Sequence, residues 1–225
     1  MKSARAIANF TIVPAVVALS FAGFNVPTSS AQTPDAVTID KQPIVVQRRY
    51  YKDDNAAKRT AKTPRTDWQF RCLPQISYDI VESKTATDGR NHSVILKIKA
   101  ISLKLSLPIV MRISKTEPTL TVEHEFGHVK ICADVYGDAD RLMRDYATSM
   151  LGKSYSGAGQ TDDDACAAAL KTPLAQISER FTTITNDKAK RISQFYDHLD
   201  ATTKLAVKTQ ISLAEKKEAA RARTP

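Results

Sequence analysis

The stretch TLTVEHEFGHVKICADVYG, Thr119 to Gly137, carries the pattern H-E-x-x-H at His124-Glu125-Phe126-Gly127-His128. It holds two of the four histidines in the chain. On a helix, residues i and i+4 lie one turn apart on one face, so both imidazoles can reach one metal ion. Glu125 sits ~100° further around the axis. It cannot ligate beside the histidines from there, yet it can touch a water held on the metal. Zn2+ lowers the pKa of such a water toward ~7, and a glutamate can take its proton and pass it to a leaving amine. The pattern arises by chance in roughly two chains per thousand of this composition. Gly127 adds weight, because a glycine inside a helix costs ~1 kcal/mol against alanine and marks the close approach of another element. The competing account is a surface helix with two solvated histidines.

Outward from the motif, the apolar spacing predicts a helix over 116–151. Thr116 is the expected N-cap, with Glu117 and Pro118 in the first turn. Leu120, Leu142, Met143, Tyr146 and Leu151 fall at helical spacing, and Gly137 either ends the helix or is tolerated within it. GKSYSGAGQT reads as a loop. Asp162 is then the expected cap of a second long helix over 162–205 with Pro173 as its kink. Its stripe is Ala168, Leu174, Ile177, Phe181, Ile184, Ile192, Phe195 and Leu199.

A third metal ligand is needed. Asp134 lies ten residues after His124, the offset used by metzincins, but Ile131 stands where that class turns its helix back at a glycine. On an unbroken helix Asp134 lies ~240° around from His128 and ~9 Å along, out of reach. Folding the second helix back about the loop near residue 157 brings residues 186–190 opposite the histidines. Asp187, Asp197, His198 and Asp200 lie in or near that zone.

Upstream, residues 65–114 read as a small antiparallel sheet with one packed and one wet face. QISYDIVE places Ile76, Tyr78 and Ile80 on one face, and Asp88-Gly89 is a hairpin signal. In the next run Ile95, Leu96, Ile98, Ile101, Leu103 and Leu105 alternate with lysine or serine, and Pro108 marks an edge or a break. Residues 32–64 are an extended segment with one expected strand, Ile44 to Tyr51, followed by a polar turn, short helix or linker. Residues 206–225 read as a charged helical tail with a frayed end. The fold class is therefore α+β: a small antiparallel sheet, the H-E-x-x-H helix and a long antiparallel second helix.

Residues 1–31 have the layout of a secretory signal: Lys2 and Arg5, an apolar run from Ile7 to Val26, then Ser29-Ser30-Ala31, with cleavage expected after Ala31. The expected location is secreted or periplasmic, with no stable membrane span after cleavage. The net charge of +9 falls to about +7 without Lys2 and Arg5. That balance suits anionic envelope surfaces, while the lack of a recognition motif argues against nucleic acid. Cys72, Cys132 and Cys166 in an oxidising compartment predict one disulfide and one spare thiol, with the pairing open. Cys132 reads as a stripe residue or disulfide partner, and His92 as a solvated turn residue.

Residues 66–202 resemble a bacterial family of uncharacterised, predicted secreted zinc-dependent proteases. The resemblance is carried by Thr66-Asp67-Trp68, Leu107-Pro108, the full His124-Glu125-Phe126-Gly127-His128 and Gln194-Phe195-Tyr196-Asp197. It departs where the family has Thr-x-His-Gly and this chain has Asp200-Ala201-Thr202-Thr203. A metal-binding histidine in the family pattern would have to be replaced here by Asp197, His198 or Asp200. The resemblance implies a zincin-like fold and no particular substrate. The leading expectation is an exported zinc metallopeptidase acting on peptide or protein. Zn2+ is held by His124, His128 and, as our choice, Asp197, with Glu125 as general base and Tyr196 as oxyanion donor. The alternatives are a non-catalytic envelope scaffold and a zinc amidase acting on cell-wall glycopeptides.

Overall fold

The computed structural model describes residues 36–51, 64–87, 91–202 and 207–221. The expected signal segment, the Asp88-Gly89 turn and the linker over 52–63 lie outside the described residues. In chain order the strands are β1 (Val37–Lys41), β2 (Val45–Tyr51), β3 (Arg65–Trp68), β4 (Arg71–Thr85), β5 (His92–Ser106), β6 (Pro108–Ser114) and β7 (Ser154–Gly159). The helices are α1 (Thr119–Gly137), α2 (Ala139–Met150), α3 (Asp162–Thr182), α4 (Lys188–Thr202) and α5 (Val207–Arg221), with a π-helical turn, Thr183–Asp187, between α3 and α4.

β5 and β6 form one central path, broken only at Leu107. β4 then β3 run antiparallel along one edge of it. β1 then β2 run parallel along the other, and β7 extends that edge antiparallel beside the start of β5. The pairing divides into a four-stranded and a three-stranded sheet. Backbone hydrogen bonds from Gln42 to Leu105, Val45 to Leu107 and Gln69 to Pro108 carry the ribbon across the division. The class is α+β as expected, but the sheets are mixed rather than purely antiparallel. The segment over 32–64 supplies two strands instead of one.

Alternation along the central path decides which face is buried. Leu103, Leu105, Leu107, Ile109, Met111 and Ile113 all point into the core. The phase slips once, at Lys99, where Ser77 pairs with Ala100 and Tyr78 with Ile98. A second slip on β4 falls at Val81; before it, Ile80 still pairs with the buried Leu96 on the side of Ile76 and Tyr78, but is itself exposed. Pro108 opens β6 and marks the break; β6 itself is central, not an edge.

Several expected boundaries are corrected. α1 starts at Thr119 with Pro118 as its cap residue. A residue before proline is pushed out of the helical region, so Glu117 cannot join the first turn. Thr116 instead bonds Ser114 in the preceding turn. The helix over 116–151 is two helices, ended at Gly137 and restarted after Asp138. Lys41 of β1 fixes that corner by donating to the Gly137 carbonyl at 2.6 Å and to Asp140 at 2.6 Å. A cation at a helix C-terminus is favourable. Thr161, not Asp162, caps α3 by accepting from the Asp164 N–H. On α3, Ala165 and Ala169 are buried and Ala168 is exposed. The expected charged tail is docked, with Ile211 and Ala214 of α5 in the main core. No helix among the described residues is long and apolar enough to cross a membrane.

The expected loop SYSGAG is strand β7. Its glycines serve contact rather than flexibility. A Cβ on Gly157 would collide with the Ala165 carbonyl and lie 2.9 Å from Ala169 Cα; one on Gly159 would lie 2.6 Å from the Ala165 nitrogen. α3 therefore rests directly on β7. Gly157→Ala is expected to lower stability by ~1–3 kcal/mol through overpacking. Urea denaturation measures it, and an unchanged midpoint would show that α3 does not lie on this strand.

Candidate metal centre

The core side of β6 and β3 meets α1. β3 is short, but its alternation puts Thr66 and Trp68 on the face toward α1. Thr66 is buried and its hydroxyl lies 2.7 Å from Glu125 Oε2 and 3.0 Å from the Glu125 carbonyl. Trp68 stacks on His128 with ring centroids 6.2 Å apart. Asp67 points to the other face and pairs with Arg112 at 2.7 Å. On the opposite flank of α1 lies α4. Tyr196 stacks on His124 at 4.9 Å and 14°, and meets His128 edge-on at 5.3 Å.

The glycine of the motif permits this approach. A Cβ on Gly127 would lie 2.5 Å from Tyr196 Cζ and 2.8 Å from Cε1. The element that Gly127 was expected to admit is thus the Tyr196 ring. With α4 this close, the next residue, Asp197, reaches both imidazoles. Its Oδ1 is 3.0 Å from His128 Nε2 and 3.3 Å from His124 Nε2, and the two Nε2 atoms are 3.3 Å apart. Among the described residues this is the one cluster of three or more histidine, cysteine or acidic groups disposed to hold a metal ion.

The triangle is close to the dimensions of a tetrahedral site, slightly contracted on the side joining Asp197 and His128. Zinc bonds of 2.0–2.2 Å at the tetrahedral angle separate neighbouring donors by about 3.3–3.6 Å. Two of the three observed separations equal 3.3 Å and the third is 3.0 Å. The donor set, two neutral nitrogens and a carboxylate, is of a kind that zinc accepts, and three protein ligands are the number found in catalytic rather than closed structural sites. These residues fit zinc.

The electrostatics of the two carboxylates diverge. Burial opposes the charge on Asp197, but hydrogen bonds and charge from His124 and His128 outweigh it and hold the carboxyl down at about 2. Glu125 is 5% exposed. There burial dominates and raises its carboxyl above the usual range, against the opposing pull of the Thr66 hydroxyl and of the two histidines.

The structure brings together His124, His128, Asp197, Glu125 and Tyr196. Tyr196, expected as oxyanion donor, is 0% exposed, and its hydroxyl abuts Gly127. It is placed to hold the imidazoles rather than to meet a substrate. Asp187 ends the π-helical turn outside the cluster. Asp134 is exposed on α1 and faces Glu215 of α5. His198 is exposed outside the cluster, and the side chain of Asp200 lies outside the described residues. Asp197 stands roughly ten residues beyond the zone that a simple fold-back places opposite the histidines, because β7 pairs into the sheet instead of forming the tip of a helical hairpin.

Sequence reasoning did not assign roles to Thr66 and Trp68. Thr66-Asp67-Trp68 entered the sequence reading only as part of the family resemblance, and their i, i+2 spacing on a strand is the physical signal that puts both on one face. The expected disulfide is absent: Cys72, Cys132 and Cys166 are free thiols, and Cys132 is a core residue whose burial drives its thiol well above the ordinary range. His92 is paired with Asp162 at 2.9 Å rather than merely solvated.

Comparison with protein-family models, with curated proteins and with solved structures finds no match for this chain. The site therefore stands on its own geometry.

Gly127→Ala tests the central contact. Helix propensity alone would raise stability by ~1 kcal/mol. The collision with Tyr196 is expected to reverse the sign and lower the thermal midpoint, and a raised midpoint would mean that the ring does not sit there.

Proposed function

We propose that the chain is an exported zinc metallopeptidase. The observation that carries this reading is the convergence of His124 Nε2, His128 Nε2 and Asp197 Oδ1 within 3.0–3.3 Å of one another, beside a buried glutamate on the same helix. The likeness of the motif to that of predicted secreted zinc-dependent proteases supports it from the sequence side.

His124, His128 and Asp197 would hold the ion. Bound zinc would supply a Lewis acid that acidifies a water and polarises the scissile carbonyl. Glu125 takes the proton of the attacking water and delivers it to the leaving amine nitrogen. Its raised affinity for a proton, the result of burial, suits a group that must hold one between those steps. Thr66 fixes the carboxylate by donating its hydroxyl. Tyr196 and Trp68 clamp the two imidazole rings and limit their rotation, which keeps the nitrogens converged.

Three variants test this reading. Glu125→Gln is expected to keep one zinc per chain and to lower hydrolysis by ~100-fold or more; undiminished hydrolysis would refute the assignment. Asp197→Ala is expected to weaken zinc binding by ~100-fold or more while His198→Ala leaves it unchanged, measured by competition with a chromophoric chelator. Purified chain that binds no stoichiometric zinc would favour the scaffold alternative. Clearing of peptidoglycan but not casein on zymograms would assign the same chemistry to cell-wall amides.

A further inference from the structure

The face of the three-stranded sheet turned away from α1 carries an arrangement that the metal centre does not use. The register pairs Arg49 of β2 with Arg112 of β6, and Arg112 with Arg65 of β3. Three arginines therefore stand in one cross-strand row on one face. Arg49 is exposed, and the Arg65 and Arg112 side chains are 58% and 41% exposed. Like charges placed directly opposite on a sheet are destabilising. A single carboxylate sits among them: Asp67 accepts from Arg112 at 2.7 Å and from Arg65 at 3.3 Å. Arg49 reaches the Gln47 side chain at 3.4 Å. The row keeps a local charge of about +2, an arrangement that the fold does not need.

The surroundings say what this row fits. The even-numbered positions of the central path, Lys104 and Val110 among them, share the face, as do Val45, Arg71 and Leu73 at their paired rungs and Asp40 opposite Lys104. Val45 and Leu73 are among the most exposed large apolar side chains. A broad sheet face that mixes guanidinium groups with exposed aliphatic side chains matches an anionic lipid surface. Arginines meet headgroup phosphates bidentately, and apolar tips enter the interface. We propose that this face docks the protein peripherally on a membrane rich in anionic lipid. His128 stacks on Trp68, on the opposite face of the same sheet. A docked molecule would thus hold its metal centre on the side away from the lipid. The proposal does not depend on the metal reading.

Sedimentation of the purified chain with vesicles tests it, using phosphatidylcholine alone and phosphatidylcholine with ~30 mol% phosphatidylglycerol at ~0.15 M salt. Binding is expected on the anionic vesicles only. Replacing Arg49, Arg65 and Arg112 together by Gln is expected to lower partitioning at least tenfold. Removing the same charge elsewhere, through Lys171→Gln, Lys216→Gln and Lys217→Gln, is expected to lower it less than threefold. If the triple arginine variant does not fold, Arg49→Glu alone, which breaks no ion pair with Asp67, is expected to give at least a threefold loss. Equal losses in the arginine and lysine variants would overturn the proposal, since diffuse charge would then account for binding. So would equal binding to neutral vesicles, no binding to either, or loss of binding on adding ~10 mM inorganic phosphate at constant ionic strength, which would mark a small-anion site instead.

Discussion

The contact of the Tyr196 ring with the bare backbone of Gly127 governs the rest of the centre. It lets α4 approach α1 closely enough for the residue after Tyr196 to reach two imidazoles one helical turn apart. A side chain at position 127 would collide with the Tyr196 ring, which would have to move. The glycine carries a helix-propensity penalty of ~1 kcal/mol, so its position answers to the packing rather than to the helix. The same ring holds His124 face-on and His128 edge-on. The geometry of the donors and the packing of the helices are thus one constraint.

A second constraint comes from the sheet. β3 brings Thr66 and Trp68 against the other side of the motif helix. Glu125 is fixed by a hydroxyl from a strand 59 residues earlier, and Asp197 arrives from a helix still further away downstream. Burial disfavours the charge on both carboxylates, yet their net shifts run in opposite directions. Asp197 stays ionised because two imidazoles face it; Glu125, held by a neutral hydroxyl in a buried setting, gains affinity for a proton. In the proposed roles a carboxylate ligand must be ionised and a proton carrier must release and regain its proton, so the two environments suit the two tasks.

The helix with both histidines was legible because its pattern is local: an i, i+4 pair inside apolar spacing. Gly127 was legible as an anomaly that demanded a close neighbour. Asp197 could be named among the candidates, but its register could not be counted. The count assumed that residues near 157 formed a helical hairpin tip, whereas SYSGAG forms β7. Nothing local marks that strand. Its serines and glycines resemble a loop, and Gly157 and Gly159 are bare because the backbone of α3 crosses them. The parallel pairing of β1 and β2 with the central path was hidden for the same reason: a strand pattern shows which face is buried and not which neighbour is bonded. The start of α1 answers to the restriction that Pro118 puts on Glu117 rather than to the capping side chain of Thr116. Thr66 and Trp68 escaped because their role depends on which edge of β6 their strand occupies.

The central claim is that three atoms, His124 Nε2, His128 Nε2 and Asp197 Oδ1, form one zinc site. The most direct measurement is an anomalous difference map at the zinc edge from crystals of the zinc-loaded protein. The expected result is a single strong peak ~2.0–2.2 Å from each of the three atoms. A peak bound by the two histidines without Asp197, a peak elsewhere on the chain, or no peak at all would contradict it.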